Sequence, residues 1–243
     1  GNNKKMLYHV EQFAAHYQGS CKIYPYGFVH NVEVMMSASD CIVSKPGGLT
    51  VSEALAKNLP MLLFDPIPGH EERNVDFLVN NAGVSFKCRA ENFPMEQFDN
   101  IMNVNVKYLF EMSVVCYPYL KKSADKGRII NITSMSAHLG FSEVVPYCTS
   151  KGAVLAMTRA LAVEWAQDNI TVNSIAPGWF RSKMNEQVVD AAREQKILNR
   201  MPLHAYGDTR DLGKMAEFLV GDGASYITGQ DFAVDGGALA FGY

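Results

Sequence analysis

The chain has 243 residues, 48% of them hydrophobic and 19% charged, with a formal net charge of −3. That suffices for one large α/β domain, or two small ones, around a buried core. The mild acidity gives no electrostatic case for a nucleic-acid partner or an anionic membrane surface. The five cysteines (Cys21, Cys41, Cys88, Cys116 and Cys148) are widely spaced and include no CxxC pair. They read as reduced thiols of a cytosol-like compartment, with no disulfide framework and no metal site. The opening GNNKKMLYHVEQ lacks the apolar segment of a secretory signal, and no apolar run is long enough to span a bilayer. The expectation is therefore a cytoplasmic protein with no membrane partner.

In chain order, residues 3–17 read as an amphipathic helix with Met6, Val10, Phe13 and Ala14 on one side. A strand is expected near 21–28, irregular or at an edge because Pro25 cannot donate to a ladder. From Cys41 to Asp65 the pattern is strand (CIVSK), glycine turn (PGG), helix (LTVSEALAKN) and strand (PMLLFD), the order of a βαβ crossover. Next, NVDFLVNNAG admits two readings. Val75, Leu78 and Val79 suit a helix face, and Phe77 to Val79 suit a buried strand. Periodicity cannot arbitrate so short a run, and the downstream context favours the strand. A long helix is expected over 94–122, a strand over 127–134, a helix through Tyr147 and Lys151, and a strand over 171–178. Helices near 183–199 and 209–219 and a last strand in DFAVDGG complete the chain. Alternating strands and helices imply a Rossmann-like three-layer α/β sandwich, a single domain with a mostly parallel sheet covered on both faces.

The chemistry-bearing residues cluster around SMSAHLGFSEVVPYCTSK, from Ser134 to Lys151. Tyr147 and Lys151 stand at i and i+4, one turn apart on one helix face. Ser134 ends a strand, and a hydroxyl there beside a Tyr/Lys pair suits acid–base work at the carboxyl edge of an α/β sheet. Taken alone, Ser134 could equally cap a turn, and a Tyr/Lys pair is commonest on a solvated helix. His138 is close in sequence, but a lone histidine more often packs or faces solvent. Gly47 and Gly48, between a strand and a helix, offer generic parts for a pyrophosphate, or simply a tight turn. Asp65, closing the next strand, stands where a dinucleotide fold places the acid that holds an adenosine ribose, which would favour NAD over NADP.

Two resemblances attach to these motifs. Residues 76–243 resemble the short-chain dehydrogenase/reductase family in several elements at family spacing: NNAG (80–83), Asn105 in NVNV, Ser134, Tyr147 and Lys151, APGWFRS (176–182) and TGQDFAVDGG (228–237). The resemblance implies catalysis by Asn105, Ser134, Tyr147 and Lys151, with Asn105 holding a water that links Lys151 to solvent. It implies an NAD or NADP site that also uses Asn80, Ala82, Gly83, Pro177, Gly178 and Ser182. It further implies a small alcohol or carbonyl substrate and a homo-oligomer, dimer or tetramer, built through the long helices. The family's opening TGxxxGxG loop does not occur in this chain.

In its place, Cys41 to Asn74 resemble the donor half of GT-B glycosyltransferases that use UDP-sugars, of the MurG and diacylglycerol-glycosyltransferase type. That likeness implies a nucleotide diphosphate on Gly47 and Gly48 and ribose hydroxyls on Glu53. Together the two imply a chimera of a glycosyltransferase-like half (1–75) and a dehydrogenase-like half (76–243), with the seam between Asp65 and Gly83. The leading expectation is an NAD(P)-dependent oxidoreductase that interconverts a small alcohol and a carbonyl. The alternatives are a folded scaffold without turnover, and UDP-sugar binding by the first half. An ammonium favours a nearby phenolate, so Lys151 is expected to lower the pKa of Tyr147.

Overall fold

The computed structural model describes residues 76–123, 125–181 and 191–241, the strand backbones 42–44 and 61–63, and residues 8, 11, 12, 15 and 16. The chain forms two compact units, residues 1–38 and 39–243. In the first, the described residues 8, 11, 12, 15 and 16 are helical, as the amphipathic pattern predicts. The strand expected at 21–28 and the helix expected after Gly48 lie outside the described residues.

The second unit holds a six-stranded sheet in sequence order: β1 (Ile42–Ser44), β2 (Met61–Leu63), β3 (Phe77–Asn80), β4 (Gly127–Ile132), β5 (Ile170–Pro177) and β6 (Asp231–Val234). From β3 to β6 every pairing is parallel. β1 and β2 are parallel to each other, but β2 meets β3 antiparallel, with Met61 opposite Val79 and Leu63 opposite Phe77. The mostly parallel sheet of the sequence reading is therefore present, with one reversal at its β2–β3 junction. That reversal turns the carboxyl ends of β1 and β2 toward the amino ends of β3 to β6.

All six residues of β4 are buried, as are seven of the eight in β5. Successive side chains of a strand point to opposite faces, so burial along the whole strand means that both faces are covered. On one face Leu78, Ile129 and Val172 stand in register across three strands. They pack with Cys116 and Leu120 of α2 (Tyr108–Leu120) and with Leu161 and Trp165 of α3 (Val145–Trp165). α5 (Thr209–Val220), buried at Leu212, Ala216 and Leu219, packs on β4 and β5. α4 (Ala191–Arg200) precedes it.

Phe77 to Asn80 form a strand, not a helix turn, because β4 supplies a parallel ladder partner for the run. The long helix expected over 94–122 has three parts: α1 (Met95–Met102), a π-helical turn over Asn103–Lys107, and α2. A π-turn inserts an extra residue into the helix and often marks a functional site. Here it carries Asn105.

Candidate active site

The parallel strands β3, β4 and β5 deliver the predicted residues to one edge. β3 ends at Asn80 and is followed by Asn81 and the turn to Gly83; Ser134 follows β4; and β5 ends at Pro177. The carboxyl edge of a parallel sheet is where open α/β folds place their ligands.

Asn105 is completely buried. Its Oδ1 accepts from the Val84 N–H at 2.8 Å, and its Nδ2 donates to the Val84 carbonyl at 3.0 Å and to Ser150 Oγ at 2.9 Å. Ser150 in turn donates to the Tyr147 carbonyl at 2.7 Å. The side chain of Asn105 thus joins the turn after β3 to the first turns of α3. Both polar atoms of the side chain are engaged within the protein.

Lys151, 3% exposed, donates to the Ile132 carbonyl at 2.8 Å, and its ammonium lies 5.7 Å from the centre of the Tyr147 ring. Burial pushes it down from 10.5 to about 8. Ser134 is extended (φ −172°) and accepts at Oγ from the Ser136 N–H at 3.1 Å, so it caps a short 3₁₀ turn. Its hydroxyl also acts on the Tyr147 phenol and favours the charged form there. The turn-cap reading of Ser134 is therefore seen in the structure, and the cap leaves its hydroxyl hydrogen free of that bond.

Tyr147 keeps part of its surface open although it lies deep in the protein. Burial pushes its phenol above the ordinary value, opposed by the Ser134 hydrogen bond. This corrects the expectation that Lys151 lowers it. Loss of solvent around the phenol outweighs the Ser134 hydrogen bond, and the Lys151 ammonium is bonded to a carbonyl.

The remaining cofactor candidates separate by position. Asn80 is 2% exposed and donates to Ser113 Oγ and to Asn131 Oδ1 at 2.9 Å. Its Nδ2 thus ties the strand end to α2 and β4. Asn131 extends the same chain of bonds to Thr158 Oγ1 on α3. Gly178 has a packing reason for being glycine, since a Cβ there would fall 2.5 Å from the Cα of Asp235. Ala82, Gly83 and Pro177 are half-buried at the strand edge. Ser182, Gly47, Gly48, Glu53 and Asp65 lie outside the described residues. Ser44 and Leu63, which precede the Gly47–Gly48 turn and Asp65, stand at the end of the sheet opposite Ser134.

A nicotinamide ribose fits the part of the site that is described. Among the described residues the buried Lys151 ammonium has a single hydrogen-bond acceptor, Ile132, which leaves N–H groups for ribose hydroxyls. Gly83 keeps the space beside it open, because a Cβ there would sit 3.5 Å from Lys151 Nζ and 3.7 Å from Asn105 Oδ1.

Sequence reasoning missed the pairing of His138 with Asp231 at 2.6 Å. No motif announced it, because the two are 93 positions apart.

Comparison with known proteins gives a consistent answer. Residues 68–238 match the family model described as enoyl-(acyl carrier protein) reductase, of short-chain dehydrogenase type. A 2-dehydro-3-deoxy-D-gluconate 5-dehydrogenase of Dickeya dadantii is 42% identical over 167 residues, 68% of this chain and 66% of that protein. The enzyme of the same name from Bacillus subtilis is 35% identical over 207 residues, 84% of this chain and 81% of its own length. A structure described as an Agrobacterium tumefaciens 2-deoxy-D-gluconate 3-dehydrogenase with bound NADP superposes with a TM-score of 0.69 at 28% identity, covering 84% of this chain and 98% of the other. With the family model covering most of the chain and the Ser134, Tyr147, Lys151 and Asn105 cluster at the expected strand edge, the chain belongs to the short-chain dehydrogenase/reductase family.

Proposed function

We propose that the chain is an NAD- or NADP-dependent oxidoreductase that interconverts a small alcohol and its carbonyl compound. The observation that carries the reading is the convergence of Ser134, Tyr147 and the buried Lys151 on a site braced by Asn105. The nicotinamide cofactor would supply or accept the hydride. In reduction, Tyr147 gives its proton to the carbonyl oxygen, and in oxidation it takes one from the alcohol. The high phenol value suits the donor role at neutral pH. Ser134 donates a hydrogen bond to the same oxygen and fixes its position. Lys151, Gly83 and the strand-end residues Ala82 and Pro177 would hold the nicotinamide ribose side. Gly47, Gly48 and Asp65 lie outside the described residues and are left out of this site.

The relatives' names point to sugar-derived hydroxy and keto acids as the first substrates to try. The exposed apolar side chains of α2 and α3, among them Val115, Tyr119 and Val163, support assembly into a dimer or tetramer. No helix among the described residues is long and apolar enough to cross a membrane.

The test is NADH- and NADPH-linked turnover across a panel of keto and hydroxy acids, with cofactor binding followed by fluorescence. Turnover abolished by Tyr147→Phe, with the fold intact, is the expected result. If neither nucleotide binds, the oxidoreductase reading fails and the scaffold reading replaces it.

A foreign origin for residues 1–75 has no support in the comparisons, since the Bacillus subtilis dehydrogenase aligns over 84% of this chain and so reaches into that half. The relatives reported above are all dehydrogenases, and none speaks for a glycosyltransferase half. A thermal shift with UDP, and none with NAD or NADP, would be needed to carry that reading.

A further inference from the structure

Asp231 opens β6, and its side chain is 5% exposed. Its carboxylate accepts three short hydrogen bonds. Thr133 Oγ1 and Ser174 Oγ donate to Oδ1 at 2.7 Å and 2.6 Å, and His138 Nε2 reaches Oδ2 at 2.6 Å. A carboxylate oxygen only accepts, so the imidazole hydrogen lies on Nε2. Burying a carboxylate is strongly disfavoured unless partners of this kind surround it.

Two of the three partners bracket a catalytic group. Thr133 directly precedes Ser134, and His138 closes the 3₁₀ turn that Ser134 opens. One carboxylate on the edge strand therefore ties down both ends of the turn that presents the Ser134 hydroxyl. Thr133 is also fixed to β5, its N–H and its hydroxyl both lying 2.9 Å from the Ile175 carbonyl. That hydroxyl has a single hydrogen, and the charged Asp231 oxygen is the stronger acceptor for it. Ser134 Oγ already accepts from the Ser136 N–H, so its own hydrogen is the group left to aim. Neither Asp231 nor His138 belongs to the proton-transfer set described above.

We infer that Asp231 and His138 are positioning residues for Ser134, stapling the 134–138 turn to β6 and setting the direction of the Ser134 hydroxyl. This rests on the oxidoreductase reading. Reacting groups must be held to within about 0.5 Å of their productive geometry, so loosening one end of the turn should cost rate more than binding.

The test compares His138→Leu, His138→Gln and Asp231→Asn for kcat, KM and thermal midpoint. His138 is one-third exposed, so its variants should fold even if the Asp231 variant does not. His138→Leu should lower kcat about tenfold while KM moves less than about threefold. His138→Gln, which keeps an N–H donor, should recover most of the loss. A kcat within about twofold of wild type for His138→Leu would overturn the inference. So would a loss that glutamine does not restore and that tracks a falling midpoint. If the wild-type chain shows no nicotinamide-linked turnover, the oxidoreductase reading falls by itself. Amide exchange at Ser136 and His138 then decides: faster exchange in His138→Leu supports the staple, and unchanged exchange refutes it.

Discussion

Replacing Lys151 with methionine should separate stability from function. The side chain is 3% exposed, and burial takes its pKa from 10.5 to about 8. That difference disfavours the charged form in the folded protein by about 3 kcal/mol. Between pH 8 and 10.5 the unfolded chain holds a proton that the folded one has released. Wild-type stability should therefore rise with pH across that window, and below pH 8 the full penalty applies. Methionine removes the charge at similar volume but leaves the Ile132 carbonyl without its donor, at a cost of about 1–2 kcal/mol. At pH 7 the variant should come out about 1–2 kcal/mol more stable, a rise of roughly 4 °C in Tm for a chain of this size. Denaturant unfolding of both proteins at pH 6.5 and 9.5 provides the measurement. The wild type should narrow the gap at the higher pH, and the variant should have lost its nicotinamide-linked activity. Parallel stability–pH curves for the two proteins between pH 8 and 10.5 would refute the desolvation argument.

Other expected outcomes follow from particular contacts. Tyr147→Phe should cost about 10²–10⁴ in kcat, the usual weight of a positioned acid or base, with an unchanged circular dichroism spectrum. Asn105→Ala strands the Val84 N–H and carbonyl and removes the donor to Ser150 Oγ, and should cost about 2–4 kcal/mol by urea unfolding. Leu78→Ala, at a fully buried position between α2 and α3, should cost about 2–5 kcal/mol by the same measure. Gly207→Ala would place a Cβ 2.3 Å from the buried Phe180 ring and should destabilise by about 1–3 kcal/mol, seen as a lower Tm.

The sequence was most informative where local pattern and chemistry coincide. Strand-like runs such as GRIINI and TVNSIAP announced central strands, and all of the first and all but Pro177 of the second are buried. The i, i+4 spacing of Tyr147 and Lys151, on a helix following the strand that leads to Ser134, was enough to bring the three residues to one edge of the sheet. Other features have no local signature. The π-turn around Asn105 was invisible because residues 103–107 are as helix-compatible as their neighbours. The high value of the Tyr147 phenol depends on how much protein surrounds it, which no spacing encodes. The capping of the Ser134 turn could not be read from the sequence, because the bond to the Ser136 N–H depends on the local backbone.

By itself, the sequence determined that this chain builds a parallel α/β sheet with a serine, a tyrosine and a lysine at its carboxyl edge, because strand burial and helix periodicity are local properties. Tertiary structure alone decided two further matters. One is the antiparallel meeting of β2 and β3, which points the ends of β1 and β2 away from that edge. Strand direction depends on which neighbour completes the ladder, and an apolar triplet such as Met61 to Leu63 pairs equally well either way. The other is the convergence of Thr133, Ser174 and His138 on Asp231. A buried carboxylate has to collect donors from wherever the fold brings them, and here they come from the end of β4, the middle of β5 and the turn that carries Ser134.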